Sequence, residues 1–356
     1  MLYNTGYSAI IFIRYCPLAL GPLSESQPPT TAIYTDMTAK TPTDPVTTEA
    51  ATTESTRPEL EDRSFEGIAD HFEKKVYGGL KGAIRLAVLR RDLGEQVARL
   101  SAELQRPLRI LDVGAGLAQL SIELAQQGHE VTINDISNNM LSKAKALALA
   151  KIDDATADTE SHPEATEISE IEDELKEVQA QDSAVEMPDW LTRTEWLVCP
   201  YQALEEQLTG QYDLILCHAL LEWLAQPQDI MDFFDKWLAK HGVLSLCFYN
   251  PVSFDYRNLI MGNFNLLNNS DYQSDNKKTL TPNHPVPKEE VTAWLAARDY
   301  QILGVSGLRV FHDYSPLKRG GHNHPDAVIE MELRYSSLDP YKWMGRYLHY
   351  LASPTA

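Results

Sequence analysis

Apolar positions along the chain follow two alternating periods. Short, almost continuous apolar runs at LRILDVG (108–114), EVTINDI (130–136), TEWLVCP (194–200), YDLILCHAL (212–220) and GVLSLCFYN (242–250) predict five strands covered on both faces. Between them, apolar residues recur every three or four positions over 118–127, 139–149 and 230–240, which predicts helices. Two more helical patterns, 65–77 and 81–100, come before the first strand. After the fifth, TAWLAARDYQ (292–301) predicts a helix, and ILGVSGLRVF (302–311) and VIEMELRY (328–335) predict two further strands. Strands alternating with helices of this length imply βαβ units and a parallel sheet with helices on both faces. No internal repeat is present.

Two stretches break this pattern. Residues 1–60 are rich in Thr, Pro and Ala, as in TPTDPVTTEAATTESTRPE, and offer too little apolar area to offset the entropy of ordering them. They are expected to be a disordered N-terminal extension, leaving 61–356 as the folded domain. The second stretch, at about 151–190, holds fourteen acids against two bases, Lys151 and Lys176. It reads as a solvated insertion, helical around 168–178.

That insertion changes the meaning of the overall charge. A net charge of −20 argues against a nucleic-acid partner, but more than half of it sits in this one segment, so a basic face elsewhere remains open. The four cysteines (Cys16, Cys199, Cys217 and Cys247) are scattered and form no CxxC pair, so neither a structural zinc nor a disulfide framework is expected. No run approaches a membrane span, and the apolar run at 8–13 lacks the flanks of a secretory signal. A soluble, cytoplasmic protein is expected.

The chemistry begins where the first strand runs into a glycine turn, RILDVGAG. Gly114 and Gly116 let the backbone approach a ligand at the carboxyl ends of the strands. The dinucleotide fingerprint would need Gly at 119, where Gln119 stands. Asp112, two residues before the first glycine, matches the D-x-G-x-G pattern of methyltransferases, in which that acid lies near the methionine end of S-adenosylmethionine. Asp135, closing the second strand, places a carboxylate where it can accept both ribose hydroxyls. The competing reading of these residues is a plain strand-to-helix turn with a helix cap near Ser137.

Six segments narrow the assignment: FEGIADHFEKKVYGGLKGAIRLAVLRRDL, HALLEWLAQP, LSLCFYN, LIMGNFN, KKTLTPNHPVP and GVSGLRVFHDY. Together they resemble the bacterial tRNA 5-carboxymethoxyuridine methyltransferase family, from about residue 63 to 350 without the acidic insertion. The resemblance implies an α/β, Rossmann-like class I methyltransferase fold with a seven-stranded sheet, mostly parallel with an antiparallel last strand. It implies methyl transfer from S-adenosylmethionine to the carboxylate of a wobble uridine, with a tRNA anticodon stem-loop as partner. By matching motif, Arg85, Gly114, Ala115, Asp135, Tyr201, Gln202 and His218 would contact the cofactor, joined by Asp112 and Gly116. The acidic insertion and Ala118, in place of a third glycine, depart from the family pattern.

A carboxylate acceptor is ionised at neutral pH, so the reaction calls for orientation rather than a general base. Candidates to orient it are Arg309 and Tyr314 first, then Tyr249, Asn250, Arg257 and His312. His218 reads as a wall of the cofactor site, not a base. His312, His322 and His324 lack a carboxylate or Cys partner at metal-binding spacing, so no metal is expected. Lys277, Lys278, Lys318, Arg319, Lys342 and Arg346 are candidates for phosphate contacts, with Phe264 and Tyr272 for base stacking. No obligate protein partner is implied. The alternatives are a class I methyltransferase for a small metabolite and a cofactor-binding scaffold. Retention of Asp135 beside the glycines speaks against the scaffold.

Overall fold

The computed structural model describes residue 62 and residues 78–157, 188–268, 282, 285–315 and 319–355. The Thr/Pro-rich 1–60 and the helical pattern at 65–77 lie outside them, as does 158–187 of the acidic insertion. In chain order the helices are α1 (Gly79–Leu104), α2 (Gln119–Gln126), α3 (Asn138–Ala157), α4 (Asp189–Thr192), α5 (Ile230–Trp237), α6 (Pro251–Met261), α7 (Phe264–Leu267), α8 (Lys288–Ala297) and α9 (Pro325–Tyr335). The strands are β1 (Arg109–Val113), β2 (Glu130–Asp135), β3 (Glu195–Val198), β4 (Tyr212–His218), β5 (Leu238–Tyr249), β6 (Tyr300–Leu308) and β7 (Tyr347–Pro354).

These strands form one seven-stranded sheet in the order β3-β2-β1-β4-β5-β7-β6. The pairs among β1 to β5 are parallel, and β7 runs antiparallel to both β5 and β6. A single reversed strand in a parallel sheet matches the fold expected from the sequence. Because side chains alternate across a strand, each strand feeds two cores. Leu111, Val113, Ile215 and Cys217 meet α5 and α8 on one face. Ile110, Leu214 and Leu216 meet α1, α2 and α3 on the other. Each fully buried leucine or isoleucine contributes about 1.5–3 kcal/mol.

Two expectations are corrected. VIEMELRY is not a strand; it lies in helix α9, and the seventh strand is YLHYLASP. The alternation of apolar and charged residues suggested a strand, but Pro325 starts a helix in which Val328 and Glu332, one turn apart, are both buried. The helix expected at 230–240 stops at Trp237, because Leu238 already pairs with Tyr212 as the first residue of β5. Similarly, the helix expected at 292–301 occupies Lys288–Ala297, and Tyr300 opens β6.

Candidate active site

The strand order reverses between β1 and β4, which opens a crevice at their carboxyl ends. Across it runs the turn after β1, with Gly114 at φ +66°, Gly116 at +59° and Ala118 at +48°. Gly114 is needed there chiefly for its backbone angle; a Cβ would also come within 2.9 Å of the tip of the Leu220 side chain, which would have to move. The turn is tied to β2 twice. Ala115 N–H donates to Asn134 O at 2.8 Å, and Gly116 N–H donates to Asp135 Oδ2, also at 2.8 Å. Asp135 Oδ1 accepts from Ser137 N–H at 2.8 Å, and Ser137 Oγ accepts from Met140 N–H. Ser137 thus caps α3, while the Asp135 carboxylate is braced on both sides at the edge of the crevice.

That crevice holds about 730 Å³ of empty space, the open solvent at its mouth included. Gly114, Gly116, Asp135, Tyr201, Gln202 and His218 all line it. A smaller cavity of about 390 Å³ lies along α1 and is bordered by Asp112, Ala115 and Gln119. Arg85 and His218 border both spaces, so every residue expected to hold the cofactor lies on one or the other. Asp112 is buried and accepts from Ser121 Oγ at 2.5 Å. Burial pushes its carboxyl up to about 7, against the pull of Ser121 and Arg85. Tyr201 packs edge-on against Phe233, and burial pushes its hydroxyl up to about 12.

The site includes residues that the sequence reading missed. Asp62 lines the main crevice and accepts from Gln202 Nε2 (2.8 Å) and Ala225 N–H (2.7 Å), binding two loops at the rim. It precedes every pattern in the chain and carried no signal. Ile136, Leu220 and Trp223 supply apolar walls suited to a flat base. Of these, Ile136 was the legible one, since it directly follows Asp135, the acid expected to hold the ribose.

The candidates for orienting the acceptor fall into two groups. Arg309 stands at φ +60° just past β6, pairs with Asp313 at 3.5 Å, and lies over the Tyr347 ring at 5.5 Å. Tyr249 meets the same Tyr347 ring edge-on at 5.8 Å, with the Arg346 guanidinium 4.9 Å over its own ring. Tyr314 donates its hydroxyl hydrogen to Met344 O, and burial pushes that hydroxyl's pKa up. The Tyr347 hydroxyl is pushed up to about 12 by burial, with Glu222 adding to the rise and Arg309, Arg346 and Arg85 opposing it. Arg85, which borders both cavities, is thus also near enough to this cluster to act on Tyr347. Arg346, read from sequence as a phosphate contact, belongs here.

Asn250 does not. Its side chain caps α6 by accepting from Val252 N–H (3.3 Å) and donates to Trp343 O and Gly345 O (2.8 and 2.9 Å), which makes it a structural residue. His312 is buried, with its backbone N–H on Glu332, and Arg257 lies half-buried on α6. Lys277, Lys278, Lys318 and Tyr272 lie outside the described residues. Lys342 is held by Asp339 at 3.0 Å, Arg319 is exposed, and Phe264 is 56% exposed beside Leu259, Ile260 and Met261. Among the described residues no group of His, Cys, Asp or Glu could hold a metal ion, and no helix is long and apolar enough to cross a membrane.

A methyltransferase-domain family model matches residues 86–303. Over 293 residues the chain is 32% identical to the tRNA 5-carboxymethoxyuridine methyltransferase of Escherichia coli K12, covering 82% of this chain and 97% of that protein. The chain belongs to that methyltransferase family. The counterpart from Escherichia coli O157:H7 gives the same figures. Among solved structures, a magnesium protoporphyrin IX methyltransferase from Synechocystis PCC 6803 with bound SAH overlaps at a TM-score of 0.47. It is 15% identical, with 82% of this chain and 96% of that one covered. In this methyltransferase the family match spans β1, the glycine turn, β2 and β4, and so takes in most of the lining of both cavities, though Asp62, Gly82 and Arg85 lie before it.

Proposed function

We propose that the enzyme methylates the carboxylate of 5-carboxymethoxyuridine at wobble position 34 of tRNA, giving the methyl ester, with S-adenosylmethionine as donor. The observation that carries this reading is the adjacency of two sites. One is a crevice that holds the braced Asp135 carboxylate and has Arg85 and His218 on its wall. The other is a cluster of Arg309, Arg346, Tyr249 and Tyr314, joined to the first through Glu222, which accepts from Tyr249 N–H and adjoins the crevice residue Trp223.

The cofactor fits the residues present. Gly114 leaves the space that a Cβ would fill, Asp135 offers acceptors to a diol, and Ile136, Leu220 and Trp223 flank a flat base. When bound, S-adenosylmethionine supplies an electrophilic methyl group on a sulfonium. The chain's part is to place a carboxylate oxygen in line with that methyl group and keep water out. Arg309 and Arg346 attract the anion, and their stacking on Tyr347 and Tyr249 limits how far they can move to neutralise it. No proton leaves the acceptor, so a neutral His218 is what the chemistry asks for. Burial above all holds its pKa well below the ordinary value.

The anticodon loop would approach over α6 and α7, where exposed Phe264 can stack on an unpaired base. The test is mass spectrometry of wobble nucleosides from tRNA of a strain lacking this gene. Accumulation of the free carboxymethoxy nucleoside, with loss of its methyl ester, is expected. Unchanged nucleosides, in a strain shown to lack a second such enzyme, would transfer the reading to a small carboxylic acid.

A further inference from the structure

Behind His218 lies a chain of polar side chains that methyl transfer to a carboxylate does not use. His218 Nε2 is 2.8 Å from Ser245 Oγ, Ser245 Oγ is 2.8 Å from His349 Nε2, and His349 Nδ1 is 2.8 Å from Asp92 Oδ2. The four residues come from β4, β5, β7 and α1. Ser245 and His349 are buried to within 1% and Asp92 to within 9%. Such a row spans the sheet from α1 to the wall shared by both cavities.

We propose that Asp92, His349 and Ser245 form a relay that fixes His218 as its Nε2–H tautomer, so that Nδ1 accepts a hydrogen bond from the ammonium of the cofactor's amino-acid end. This rests on the reading of the crevice as the cofactor site. The direction of the bonds follows from charge. Asp92 Oδ1 already takes two bonds from the Arg91 guanidinium, at 2.9 and 2.5 Å. Arg91 is anchored in turn on Leu333 O, Ser336 Oγ and Ser306 Oγ. A carboxylate only accepts, so His349 donates to Asp92 from Nδ1, and with the Arg91 guanidinium already on Asp92 Oδ1 the relay places no second hydrogen on His349 Nε2, which is left as an acceptor. Ser245 must spend its one hydrogen on that nitrogen, so its oxygen accepts from His218 Nε2–H. The charged and titratable groups facing the relay are Arg91 and Asp92 from α1, the two histidines from β4 and β7, Cys247 of β5 between them in the sheet, and Arg85 at the cavity end.

Reversing the relay would turn Nδ1 into a donor, matched to the carboxylate instead. Arg85, which borders both cavities with His218, is the complementary group for that carboxylate. The pair thus reads a zwitterion with its two ends distinguished.

The experiment is ¹⁵N-histidine NMR of the wild-type protein, with calorimetric titration of S-adenosylhomocysteine and its deamino analogue. The expected wild-type spectrum shows His218 as the Nε2–H tautomer, with the deamino analogue about tenfold weaker, the loss of one hydrogen bond to a charged group. In Ser245→Ala the tautomers of His218 mix, and that tenfold preference shrinks to within about twofold while the analogue's own affinity holds. An Nδ1–H tautomer in the wild type overturns the relay without any variant being needed. An unchanged preference in Ser245→Ala, with the tautomer released, overturns the ammonium contact. Failure of the wild type to bind either compound would instead defeat the cofactor reading, on which the proposal depends.

Discussion

Glu332 is the residue whose replacement should separate acceptor binding from cofactor binding. It lies buried on α9, and its carboxylate takes three backbone hydrogens from the turn after β6: Val310 N–H on Oε2 at 2.7 Å, and Phe311 and His312 N–H on Oε1 at 3.2 and 2.8 Å. That turn carries Arg309 in the left-handed region and delivers Tyr314. In Glu332→Gln the amide keeps one oxygen. Its better orientation retains the two bonds from Phe311 and His312, and sets an NH₂ group against Val310 N–H. One charge-assisted bond is lost and one buried donor is stranded, together about 2–3 kcal/mol. If that energy appears as disorder of the turn, kcat/KM for the acceptor falls roughly 30- to 150-fold. The glycine turn is on the other side of the sheet's switch point and is untouched. Titration of S-adenosylhomocysteine should therefore give an affinity within about twofold of wild type. A parallel fall in cofactor affinity, or unchanged acceptor kinetics, would refute the assignment of Glu332 to the acceptor turn.

Three other outcomes are expected. Asp135→Asn removes one of the acceptors that Gly116 and Ser137 use and that the proposed ribose contact needs, so S-adenosylhomocysteine should bind at least about tenfold more weakly in calorimetry, with the sheet intact by circular dichroism. Arg309→Ala should raise KM for tRNA about tenfold and leave cofactor affinity alone, and a loss in kcat only would contradict its place in anion binding. Glu222 is buried and pushed up to about 7, so folding favours its protonated form. The stability it provides is complete below its unfolded value near 4.5 and is lost as pH rises towards 7, a span of about 3 kcal/mol. Glu222→Gln should therefore gain on wild type in urea melts as pH is raised from 5 to 8, and a gap that stays constant with pH would contradict this.

How far the sequence could be read depends on whether neighbours in space are neighbours in the chain. Asp112, Gly114 and Gly116 lie within five residues, and Asp135 closes the next strand, so the cofactor crevice was legible from a short window. The parallel half was legible for a related reason: its strands are buried on both faces and read as apolar runs. The C-terminal half obeys neither condition. In α9 the charged residues alternate with apolar ones as they would in a strand, and the buried position is a carboxylate, Glu332, which no hydropathy pattern marks as interior. In β7 the central buried residue is His349, a polar residue inside a strand flanked on both sides by others. Both exceptions are buried polar groups whose partners lie far off in sequence, Glu332 about 20 residues from the turn it holds and His349 257 residues from Asp92. A buried ionisable group persists only when such partners satisfy it. The same two residues that defeated the sequence pattern are therefore those whose hydrogen bonds lead to the acceptor turn and to His218.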